Sequence, residues 1–138
     1  MRSLLVTLLV LGAVSVATAS ALAARHDSAP VVVWKTAKFG KVLATRGHLA
    51  LYTWKKEKAG HVSCTGACAK QWPPLTVPHG TMIPKHVAGV MGTFSEIMRP
   101  NGTDQVALDR HALYTFAGDS PTKILCNGVN GWFVAKVH

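Results

Sequence analysis

"HLALYTWKKE" at residues 48–57 returns as "RHALYTFAGD" at residues 110–119, with Tyr114 sixty-two positions after Tyr52. Both copies read Ala-Leu-Tyr-Thr-aromatic, and each carries a carboxylate five residues after its tyrosine, Glu57 after Tyr52 and Asp119 after Tyr114. In the first copy Leu49, Leu51 and Thr53 alternate with Ala50, Tyr52 and Trp54. A period of two puts Tyr52 and Trp54 on one face of a strand, and Tyr114 and Phe116 likewise. Two copies are too few for a solenoid, whose core closes only by stacking more units. They point instead to two related half-domains packed together as a small sandwich or barrel.

Outward from the motif the chain keeps alternating strand and turn. Residues 30–45, "PVVVWKTAKFGKVLAT", are rich in β-branched and aromatic side chains and read as two extended segments broken at Gly40. "GTFSEIM" (92–98) and "DQVALD" (104–109) flank Asn101-Gly102, a strong hairpin signal. "HALYTF" and the closing "GWFVAKV" add two more strands. "CTGACAKQW" (64–72) is the best short-helix candidate, stopped by Pro73-Pro74. Residues 76–89, with two prolines and two glycines, read as a loop. The expected architecture is all-β, about seven strands in two repeats over residues 39–78 and 91–138, with one short helix after the first. Residues 24–38 form an amino-terminal segment and first strand. Gly40 precedes Leu51 by eleven residues and Gly92 precedes Leu113 by twenty-one, which assigns the extra length to a longer hairpin around Asn101-Gly102.

The amino terminus reads as a secretory signal: Arg2, an apolar run over residues 4–16, then Ala17-Thr18-Ala19 and Ala21-Leu22-Ala23 as peptidase sites. Cleavage after Ala23 is favoured, after Ala19 second, and no transmembrane anchor remains after cleavage. Three cysteines then meet an oxidising compartment. Cys64 and Cys68, with three residues between them, come within disulfide range in one helical turn. The alternative joins Cys126 to one of them and ties the carboxy-terminal strand to mid-chain.

Fifteen Lys and Arg face six Asp and Glu, a formal net charge of +9. An exported protein rarely meets nucleic acid, so an anionic cell-envelope polymer, a lipid headgroup or another envelope protein is the more accessible partner.

Tyr114-Thr115-Phe116-Ala117-Gly118-Asp119 resembles the Tyr-x-(Phe/Trp/Tyr)-x-x-Asp motif of a bacterial secreted-repeat family, often lipoproteins. Tyr52-Thr53-Trp54-Lys55-Lys56-Glu57 is similar, with Glu57 for the aspartate. "CTGACAKQWPPL", "RPNGTDQV" and "GVNGWFVAKV" extend the resemblance from about Phe39 to the end. The chain departs from it in lacking a lipobox cysteine, in placing Arg110 where glycine is common, and at Cys126. The resemblance implies a soluble secreted or periplasmic domain of unknown function and carries over no catalytic residues.

Three chemical readings follow. Tyr52, Trp54, Tyr114 and Phe116 are either core or a binding face for glycans or peptides. Glu57 and Asp119 accept bonds from turn amides or hold the neighbouring repeat. His48, His61, His79, His86, His111 and His138, with Met82, Met91, Met98 and the Cys64/Cys68 pair, are copper-compatible ligand types. A haem on Tyr52 or Tyr114 is the related alternative. No Gly-x-Ser-x-Gly frame or carboxylate pair supports hydrolysis. The expected role is therefore a non-enzymatic exported binding or structural module, with a periplasmic copper or haem carrier as the alternative.

Overall fold

Val31, Val32 and Val33 open a strand that β-branched side chains favour, β1 (Val31–Thr36). It turns through residues 37–39 and Gly40, at φ 71°, into β2 (Gly40–Thr45), with Thr36 opposite Gly40. The computed structural model describes residues 29–121 and 123–138. The signal segment and both cleavage sites lie outside them. After β2 come β3 (Tyr52–Trp54), the helical turn α1 (Ala67–Gln71), β4 (Thr76–Val77), β5 (Phe94–Met98), β6 (Asp104–Leu108), β7 (His111–Ala112) and β8 (Trp132–Val134).

β5 and β6 form a second hairpin in the same antiparallel manner as β1 and β2. Its loop is residues 100–102, closed by the Arg99 amide on the Thr103 carbonyl at 2.8 Å, with Gly102 at φ 79°. Both hairpins thus turn in three residues, so the expected longer hairpin at Asn101-Gly102 is corrected. Thr103, not Gly92, is the counterpart of Gly40. The extra residues lie upstream of β5, in the long connection from β4.

Each half is completed by the other. The Leu43 amide donates to Ala135 O (2.8 Å), the Ala135 amide to Leu51 O (2.8 Å) and the Leu51 amide to Leu43 O (2.9 Å). In the second half the Val106 amide donates to Leu75 O (2.9 Å), Leu75 to Leu113 O (2.9 Å) and Leu113 to Val106 O (2.9 Å). Leu43 corresponds to Val106, Leu51 to Leu113 and Ala135 to Leu75. The segment after the first motif therefore closes the second repeat, and the carboxy-terminal strand closes the first. On the pseudo-two-fold axis Tyr52 and Tyr114 exchange both backbone bonds, at 2.8 and 3.0 Å.

This exchange explains the eighth strand. β4 pairs with β6, Thr76 opposite Gln105 and Val77 opposite Asp104, in a stretch the sequence reads as loop. Pro73-Pro74 stops α1 and holds the chain extended, which delivers residues 76–77 to a free strand edge. The sheets are small and none closes into a barrel, so the architecture is sandwich-like.

The central strands are buried on both faces. Val42, Tyr52, Tyr114, Trp72 and Trp132 form one core cluster, and Leu43, Leu51, Leu113, Val106 and Phe94 the other. Adjacent residues feed opposite clusters, as the two-residue period requires.

Candidate functional site

Both motif tyrosines are fully buried at the axis. The Tyr52 hydroxyl donates to Asp119 Oδ2 at 2.6 Å, and the Tyr114 hydroxyl to Glu57 Oε1 at 2.8 Å. Each repeat's phenol thus bonds the carboxylate of the other repeat. The carboxylates also hold their own turns: Glu57 Oε1 accepts the Ser63 and Cys64 amides, and Asp119 Oδ1 accepts the Leu125 amide. Glu57 and Asp119 therefore each accept both a turn amide and the other repeat's phenol. Burial, and then the adjacent carboxylate, pushes each phenol well above the ordinary tyrosine range.

The second aromatic of each motif also crosses the axis. Trp72 and Trp132 stack with centroids 3.9 Å apart and planes 7° apart. Trp54 stacks on Trp132 at 5.3 Å and Phe116 packs on Trp72 at 4.7 Å, so each motif aromatic caps the other repeat's tryptophan. Tyr52 meets Trp72 edge-on at 5.2 Å, and Tyr114 meets Trp132 in the same way at 5.1 Å. Offset stacks and edge contacts are the geometries that ring quadrupoles favour. Tyr52 and Tyr114 thus lie in the core, and the half-buried Trp54 and Phe116 pack against it, with Trp54 also lining an open groove beside β3 and β8.

Cys64 and Cys68 form a disulfide with Cα atoms 5.2 Å apart, on the turn that enters α1. Cys126 is free and half-buried, and burial, followed by Asp119, raises its thiol pKa. It lies twelve residues after Tyr114, as Cys64 lies twelve after Tyr52. Cys126 is thus the counterpart of Cys64. Trp132 follows it by six residues where Trp72 follows Cys64 by eight, so the second repeat has no α1 and no partner cysteine.

The sequence reading missed the Trp72/Trp132 pair and a buried polar set in the second half. Arg99 Nη1 donates to Gln105 Oε1 (2.5 Å), Arg99 Nη2 to Cys64 O (3.0 Å), and Gln105 Nε2 to Leu113 O (2.9 Å). Gln105 corresponds to Val42 and Arg99 to Thr36, so only the second hairpin has this network. Similarly, Asp104 accepts from the His79 ring (3.1 Å) and the Gly80 amide (3.1 Å), which hold its carboxyl below the usual range.

Among the described residues no three His, Cys, Asp or Glu side chains gather around a common point. Met82, Met91 and Met98 are exposed at 82%, 73% and 65%. No helix among the described residues is long and apolar enough to cross a membrane.

Open grooves flank the core, two of them lined by aromatic side chains. The larger, about 760 Å³, runs beside β3 and β8 and brings Trp54, Lys55, Phe133 and Lys136 together with Asp109 and His111. The smaller lies on the β1–β2 hairpin.

Fold and core define an all-β protein of two interlocked repeats whose shared motif builds the joint between them. A family model described as a secreted repeat of unknown function matches residues 33–76 and 95–136, well over half of the chain. The chain belongs to that family and is a secreted protein. No curated protein and no solved structure matches it.

Proposed function

We propose that this chain is a non-enzymatic exported module that binds an anionic polymer of the cell envelope. The observation that carries the reading is the fate of the motif: both phenols and both carboxylates are turned inward and bonded to one another. The groups with chemical potential serve the joint between repeats, which leaves the outer surface to meet a partner. That surface is strongly basic, with a formal net charge of +9 for the whole chain. Clustered exposed cations attract polyanions over a Debye length, about 10 Å at 0.1 M salt.

The test is retention of the purified protein on anionic cell-wall polymer across a salt gradient. Retention at low ionic strength that falls steadily as salt rises is the expected result. Failure to bind at low salt, or binding indifferent to salt, contradicts it.

A further inference from the structure

The smaller groove, about 420 Å³, lies where the β1–β2 hairpin meets the loop after the second motif. Its walls are Trp34 and Phe39 with Ile124 and Leu125, and its rim is Lys35, Lys38 and Lys123. Among the described residues no carboxylate lines it. The nearest acid along that loop, Asp119, has one oxygen on the Tyr52 hydroxyl and the other on the Leu125 amide. Lys38 sits over the Phe39 ring at 5.3 Å, which keeps its charge beside the aromatic wall. Lys35 stands directly opposite Lys41 in the hairpin register, and both are exposed. Like charges facing each other across two strands destabilise a hairpin.

The second repeat shows that the fold does not need these cations. With Leu43 matched to Val106, Lys35 falls on Met98, Lys38 on Asn101 and Lys41 on Asp104. With Tyr52 matched to Tyr114, and the Ser63 and Leu125 amides on equivalent carboxylates, Lys123 falls on His61. A groove on the second hairpin, lined by Thr65, Gly66, Ala69, Arg99, Pro100 and Asn101, shares only the positions of Thr36, Ala37 and Lys38 with this one and holds no lysine. The three rim lysines are therefore absent from the equivalent positions of the other half, which hold Met98, Asn101 and His61.

We infer that the β1–β2 groove is the binding site for a linear anionic glycan, with sugar faces against Trp34 and Phe39 and acidic groups on Lys35, Lys38 and Lys123. Its size is in the range of small-ligand sites, about 300–1,000 Å³. The larger groove fits this ligand less well because Asp109 faces it. Trp34 and Phe39 are only partly exposed, which suits a sugar laid along the groove better than insertion into a bilayer. The assignment rests on the polyanion reading above and gives it a site.

The test puts the counterpart residues of the other half into the groove, K35M/K38N/K123H, against K55Q/K56Q/K136Q, which removes three positive charges elsewhere. Polygalacturonate is the probe, with anionic phosphatidylglycerol vesicles in parallel, and circular dichroism checks the fold. The site variant should weaken polygalacturonate binding about tenfold or more, as loss of several cooperating ion contacts requires, while the control stays within about threefold. Wild-type titration should also shift the Trp34 indole and Lys38 amide resonances, a readout that needs no variant. Equal losses in both variants, or shifts confined to the β3–β8 groove, overturn the site. Binding to vesicles but not to the glycan overturns the ligand class. A wild-type protein that binds no polyanion overturns the function proposed above, and this site with it.

Discussion

Tyr114 and Glu57 illustrate how a six-residue motif acts across two repeats. Their hydroxyl–carboxylate bond lies in a buried site where Glu57 Oε1 also holds two backbone amides. Hydrogen bonds to charged groups contribute about 1.5–3 kcal/mol, and an unmet buried partner costs a similar amount. Tyr114→Phe removes the donor and keeps the ring against Trp132, so chemical denaturation should show a loss of about 1–3 kcal/mol. A loss below about 0.5 kcal/mol would mean the phenol is not engaged. The motif's pairing of an aromatic face with a later carboxylate was readable from residues 52–57 and 114–119. That each phenol reaches the other copy's carboxylate was not, because nothing local to either copy encodes which turn faces it.

The two units differ most after the motif, where the first has α1 and a disulfide and the second has a short turn ending at Gly131. Cys64–Cys68 closes a very short loop, for which chain-entropy arguments give about 2 kcal/mol. Cys68→Ala should lower stability by about that amount, and thiol titration of the unreduced protein should find one free group, Cys126. Two free thiols, or none, would contradict the pairing. The hairpins, the helix and the disulfide were legible because their signals are local: β-branched runs, Asn-Gly, Pro-Pro and a three-residue cysteine spacing. The relation of Cys126 to Cys64 was also present, as equal offsets of twelve from the two tyrosines. It was hidden by matching Gly40 with Gly92 when the true counterpart is Thr103. β4 escaped because two residues carry no period; only the waiting edge of β6 makes Thr76–Val77 a strand.

Over the molecule as a whole, each repeat lends its closing strand to the other, so the core at the axis belongs to both. The exchange depends on partners far apart in sequence, and strand propensity does not specify them. It makes the joint the structural centre of the protein and leaves the two hairpin surfaces free to diverge, one with Lys35 and Lys38 and the other with Met98 and Asn101 at the same positions. Tyr52 and Tyr114 are the chain's only tyrosines, so phenolate absorbance reports on this joint alone. Both phenols are raised by burial and by a neighbouring carboxylate, whereas unfolded tyrosine ionises near pH 10. The stability contributed by the neutral phenols is therefore complete below about pH 10 and lost as pH rises above it. Alkaline titration followed by phenolate absorbance and circular dichroism together is the most direct test of the interlocked core. Phenolate should appear only as the β-sheet signal collapses, for both tyrosines in one transition. Ionisation of either tyrosine near pH 10 with the sheet signal intact would contradict it.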